Sequence, residues 1–170
     1  MSHLAVTRDS DLWTEITGHY AACVDAMLAK DVDAFIAWFG RDGSFPRADG
    51  TRVRWADTRR FWEWRFSRIL QLQEFSIEVQ SVELDEDELV VVDFHEVSTM
   101  LVHGRFGRPA VRRADLHNRN WWRRDGEQLA AVNGAEPVTV RTLDGKPLED
   151  ADDPIGFAKW ARVRDAWLRS

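Results

Sequence analysis

Cysteine is almost missing from this chain. Cys23 stands alone among 170 residues, which excludes an internal disulfide and fits a reducing compartment. No apolar run is long enough to span a bilayer. The opening MSHLAVTRDSDLW lacks the apolar core of a signal peptide, so the cytoplasm is the expected location. Positive charge is not in excess: 23 Lys and Arg against 29 Asp and Glu give a formal net charge of −6. That balance argues against nucleic acid or an anionic membrane as partner. The arginines at 52, 54, 59, 60, 112, 113, 123 and 124 are interleaved with acids and read as solvated faces. A glycine-rich phosphate loop is also lacking, since HGRFGRP has neither the spacing nor the strand–helix context of a dinucleotide fingerprint. No Gly-x-Ser-x-Gly elbow suggests a serine hydrolase. None of the five histidines makes a metal-ligand spacing with another His, Cys or acid. Neither a metal nor a cofactor is expected.

What is present is aromatic. Nine tryptophans exceed what a small core needs, so some are expected to line a cavity or an interface; there is one tyrosine, Tyr20. An apolar content of 44% supports one domain with a real core. Asp9, Ser10 or Asp11 can cap a helix from Leu12 to Lys30, with Leu12, Ile16, Tyr20, Cys23 and Met27 as its stripe. Asp31 caps a second helix over Val32–Phe39, and two short extended pieces follow within Ser44–Arg54. A third helix starts at Ala56 or Asp57 and runs to Leu70, with Thr58, Trp62, Phe66 and Ile69 inward and Glu63 paired to Arg59 on its outer side.

Four strands come next, at Phe75–Leu84, Leu89–Val102, Val111–Arg123 and Leu129–Val140. Helices first and an antiparallel meander after is the α+β class, with the sheet curled over the helices as a cone. Asp144–Pro154 reads as a polar linker, and Pro154 can start a last helix with Phe157, Trp160, Val163, Arg164 and Trp167 on one side. The division expected is 1–143 as the domain and 144–170 as linker and C-terminal helical extension.

The longest strand carries the sharpest signal. Val90, Val92, Phe94, Ser98 and Met100 share a face by alternation, and Glu96 lies in its middle. A carboxylate there needs either a partner or a proton to move. On the same logic Asn118, Asn120 and Trp122 share one face, as do Leu129, Ala131, Asn133 and Ala135, whereas Asp93, His95 and His117 point outward. A one-residue slip would exchange Glu96 for His95.

YAACVDAMLAKDVDAFIAWFGRDGSF, the TRVRW lead-in and WWRRDGEQLAAV together resemble the nuclear transport factor 2-like superfamily over about Leu12–Thr142. The members most similar in pattern are SnoaL-like polyketide cyclases, ketosteroid isomerase, limonene-epoxide hydrolase and scytalone dehydratase. The resemblance implies a cone-shaped α+β barrel and a homodimer joined through the convex sheet, where outward residues such as Val91 and Val97 are compatible. It puts Glu96 at the first acid of the epoxide hydrolase's catalytic set and Asn133 at the second, with Phe94 where that set has arginine. It puts Arg47 at the catalytic base of ketosteroid isomerase, Asn118 near its oxyanion-hole aspartate and Cys23 near its oxyanion-hole tyrosine. Neither machinery is intact.

The expected function is therefore a cofactor-independent enzyme using general acid–base chemistry on an apolar or aromatic small molecule, as a cyclase, isomerase or dehydratase. Epoxide opening is one alternative; binding without turnover, or a dimer scaffold, is another. Glu96, Asn133, Asn118 and Arg47 are the candidate catalytic residues. Tyr20, Phe45, Trp62, Phe94, Asn120 and Trp122 are the candidate substrate-binding residues.

Overall fold

A computed structural model describes residues 4–46, 52–54 and 58–167. In chain order the elements are β1 (Leu4–Ala5), α1 (Asp11–Ala29), α2 (Val32–Ile36), β2 (Phe39–Pro46), β3 (Arg52–Arg54), α3 (Thr58–Arg68), β4 (Ile69–Leu84), β5 (Val90–His103), β6 (Pro109–Asp125), β7 (Gln128–Leu143), β8 (Lys146–Pro147) and α4 (Phe157–Trp167). One sheet runs β1-β4-β5-β6-β7-β2-β3, with β8 attached to β7. Among the described residues every pairing is antiparallel except β2 with β7. Among the described residues no helix is long and apolar enough to cross a membrane.

The helices form where capping and periodicity agree. Ser10 Oγ accepts from the Trp13 amide at 3.2 Å, and α1 then buries Ile16, Tyr20, Cys23, Ala26 and Met27 against the sheet. Asp31 Oδ1 accepts from the Ala34 amide at 3.0 Å to start α2. That helix ends at Ile36 rather than Phe39, because Phe39 enters β2 and pairs with Ala131. Thr58 and Phe66 of α3 are buried as expected, and Arg59 Nε meets Glu63 Oε1 at 3.0 Å.

The sheet is longer than alternation alone predicts. β4 follows α3 without a loop, and Ile69, expected on the helix, opens the strand opposite Val102. β1 extends the sheet at its edge, Leu4 facing Leu84. Two-residue strands leave no periodic trace in a sequence. The core lies between the helices and the inward sheet face, in two adjoining groups. One gathers Ile16, Tyr20, Val92, Phe94, Trp122 and Ala131, and the other Cys23, Phe35, Phe66, Met100, Val102 and Ile155.

On β5 the register is the one that points Glu96 inward. Val90, Val92, Phe94, Ser98, Met100 and Val102 are all buried. Asp93 instead pairs on the outer face with Arg119, at 2.7 and 2.8 Å. Val91 departs from its expected exposure, being 2% accessible opposite Trp121.

Candidate functional site

The inward rows of β5 and β6 build the site. Phe94 faces Asn118, Glu96 faces Leu116, Ser98 faces Ala114, and Met100 faces Arg112. Glu96 is half-buried, whereas Ser98 and Asn118 are buried. Its charge is felt by Cys23 on α1 and by Arg65 on α3, so the carboxylate lies between the helices and the sheet. Burial first, and the Glu96 charge second, push the Cys23 thiol up, which keeps it a neutral packing group.

One side of this carboxylate is aromatic. The Tyr20 ring packs 4.6 Å from Phe94 and 5.7 Å from Trp122, and Trp38 stacks on Trp122 at 5.0 Å. Tyr20 Oη accepts from Asn120 Nδ2 at 3.1 Å. Burial pushes its phenol upward, so Tyr20 stays neutral. Trp62 packs on Phe35 at 4.4 Å and carries the Arg65 guanidinium over its ring at 4.9 Å.

The other side is cationic. Arg112, expected on a solvated face, is 2% exposed and donates through Nε and Nη2 to both carboxylate oxygens of Asp153, at 2.7 to 3.1 Å. Asp153 Oδ1 also accepts from the Ile155 amide at 3.1 Å. Arg141 Nε stands 4.0 Å from Asp153 Oδ2. Burial works to raise the Asp153 carboxyl, but Arg112 and then Arg65 hold it below its ordinary range. Burial, with Arg112 beside it, pushes Arg65 down to about 10, which leaves it a cation at neutral pH. Among the described residues, three guanidinium groups (Arg65, Arg112, Arg141) thus share this end with two carboxylates (Asp153, Glu96).

Five buried side-chain atoms along this wall meet no hydrogen-bonding partner among the described residues: Trp62 Nε1, Arg65 Nε, Ser98 Oγ, Arg112 Nη1 and Asn118 Oδ1. Buried polar atoms are almost always bonded to protein, water or ligand, so this wall is chemically equipped to hold oxygen- or nitrogen-bearing groups.

Most of the expected site residues converge here. Glu96, Asn118, Asn120, Phe94, Trp122, Tyr20 and Trp62 all face the interior. Asn133 does not join them. A bulge between Trp121 and Trp122 changes the phase of β7, so Asn133 pairs with Trp121 while Gly134 takes the inward place opposite Asn120. Asn133 instead helps to line an open depression of ≈ 440 Å³ with Ser44, Arg52, Trp121 and Val132, and its Oδ1 accepts from Arg52. Arg47 lies outside the described residues, and so does the side chain of Phe45, whose backbone pairs with Val53. Arg65, Arg112, Arg141 and Asp153 were missed. For Arg112 a signal existed, because counting back by twos from Asn118 passes Leu116 and Ala114 and reaches Arg112.

No protein-family model matches the sequence. No curated protein sequence matches it either. Solved structures do match. Aln2 from a Streptomyces species is 19% identical with a TM-score of 0.59, over 75% of this chain and 91% of that one. An NTF2-like protein of unknown function in nutrient uptake from Rhodospirillum rubrum is 17% identical with a TM-score of 0.54, over 72% and 97%. A ketosteroid isomerase-like protein from Erwinia carotovora atroseptica is 14% identical with a TM-score of 0.52, over 76% and 98%. At such identities the likeness concerns the fold, and the α+β fold of this chain is nuclear transport factor 2-like.

Proposed function

We propose that the protein is a cofactor-independent enzyme that moves a proton on an apolar or aromatic small molecule carrying a carbonyl or anionic oxygen. The five buried polar atoms without described partners, on the inward side that Glu96 shares, carry this reading. Glu96 gives or takes the proton. Arg65 and Arg112 stabilise negative charge that develops on the substrate, and Asn118 and Ser98 orient its polar group. Phe94, Trp62, Trp122 and Tyr20 form the apolar wall. Cyclisation, isomerisation and dehydration all fit this set. Epoxide opening by water is less well supported, since Asn133, turned toward Trp121, offers no second group to activate water. Binding without turnover is the second reading, and the Asp153 carboxylate already seated on Arg112 favours it. The same proposal includes a homodimer joined through the outer sheet face, where Val138 and Val140 are 53% and 58% exposed.

Thermal-shift screening of aromatic ketones and carboxylates, followed by native mass spectrometry, identifies a ligand. Glu96→Gln is then expected to keep binding and to lower turnover by a factor on the order of 10²–10⁴. Unchanged turnover in that variant removes Glu96 from the chemistry, and binding with no turnover in the wild type selects the second reading.

A further inference from the structure

The sheet face turned away from Glu96 carries a second cluster. His95 on β5 and His117 on β6 are directly opposite each other, and their rings stack at 4.6 Å with 12° between planes. Asp115 precedes His117 by two residues, so it shares that face, and its Oδ1 lies 2.7 Å from His95 Nε2. One donor atom from each of the three residues lies within 4.8 Å of the other two. Residues i and i+2 of one strand, with the facing residue of its neighbour, make a triangle of side chains on a pleated surface.

We propose that His95, Asp115 and His117 form a binding site for a divalent first-row transition ion, zinc being the ion that fits best. Two imidazoles and one carboxylate are the donor set of open zinc sites, in which a fourth position remains for water. Two imidazole donors also disfavour calcium and magnesium, which take oxygen ligands. Ligand distances of about 2.0–2.2 Å put donors about 3.3–3.6 Å apart around a tetrahedral ion, so donors up to 4.8 Å apart close by as much as about 1.5 Å and the stacked rings turn so that both in-plane lone pairs meet at the ion. Side-chain torsions supply that without moving backbone; Val138 and Val140 lie directly opposite His117 and Asp115, so in the proposed homodimer the site sits within the joined face. The surroundings permit a cation. Arg119, two residues after His117, is bound to Asp93, and Glu78 faces His95 from β4 as the next carboxylate in the row. Spacing along the chain conceals the site, because His95 and Asp115 are 20 residues apart on separate strands.

Metal-free protein titrated with Zn²⁺ by calorimetry tests this, with Co²⁺ as a visible-absorption probe of tetrahedral coordination. The expected dissociation constant is about 1 µM or tighter. His95→Ala or His117→Ala is expected to weaken binding at least ~100-fold, beyond the ~10–100-fold typical of groups that only support ligands. Asp115→Asn, at an exposed position, provides a variant that keeps the stacked pair, and it too should lose affinity and the Co²⁺ band. His19→Ala and His103→Ala should bind as the wild type does. Absence of Zn²⁺ binding, or equal affinity in the His95, His117 and Asp115 variants at unchanged circular dichroism in EDTA, overturns the site.

Discussion

Arg112 and Asp153 show what one buried ion pair does at residue scale. Both are 2% exposed, so neither charge can fall back on water if the other is removed. Asp153→Ala is expected to cost about 3–5 kcal/mol, read as a lower urea midpoint, because it strands Arg112 beside Arg65. An Arg112→Met, Asp153→Leu double variant should recover most of that loss, since replacing both members of a buried pair by apolar groups is often neutral. The pair was illegible in the sequence. Strand parity hinted that Arg112 points inward, but its partner arrives from 41 residues away, out of a segment that reads as polar linker. Glu96 was legible because a lone acid among Val92, Phe94, Ser98 and Met100 breaks an apolar alternation that the strand keeps.

At the scale of elements, α1 and β5 follow their sequence patterns closely, and β7 does not. Period three to four on α1 and period two on β5 are each uninterrupted, so local pattern and tertiary burial agree. The pairing of β7 with β6 contains two register shifts, one beside Trp121 and one between His117 and Arg119, and each reverses the sense of alternation. Nothing in LAAVNGAEPVTV marks them beyond Gly134 and Pro137, which is why Asn133 was expected inward. Two substitutions test the local devices. Ser10→Ala removes the acceptor for the Trp13 amide and should lower stability by about 0.5–2 kcal/mol in a thermal or urea melt. Gly156→Ala puts a Cβ 2.8 Å from Asp153 Cβ, in a turn where Asp153 is already held by Arg112, and overpacking of this kind costs about 1–3 kcal/mol. Gly145→Ala, at a position open in space, serves as the comparison for strain from positive φ alone.

For the molecule as a whole, acid should be the effective denaturant. Arg112 and Arg65 hold Asp153 below the ordinary carboxylate range despite its burial, and Arg119 does the same for Asp93. A carboxyl depressed in the folded state contributes stability above its unfolded pKa and loses it as pH falls through the folded one. The urea midpoint is thus expected to hold from neutral pH down to about pH 5 and to fall progressively below it. Asp153→Asn should flatten that fall, and an unaltered pH profile in the variant would assign the acid sensitivity elsewhere. The fold class was legible because helices and strands segregate along the chain. The closing of the interior by Asp153 and Ile155 was not, since they lie in and just after a stretch that reads as polar linker, whereas Trp160, on the side expected of the last helix, packs against Phe61 at 5.8 Å.

The distance along the chain between Arg112 and Asp153 also has a consequence in time. Synthesis at about 5–20 residues per second puts about 2–8 s between the appearance of the arginine and that of its carboxylate, 41 positions later. Until that carboxylate arrives, Arg112 cannot be buried beside Arg65 without leaving two cations uncompensated, so close packing of this end waits for the segment that carries Asp153. The segment around Asp153 is thus required for closing the interior.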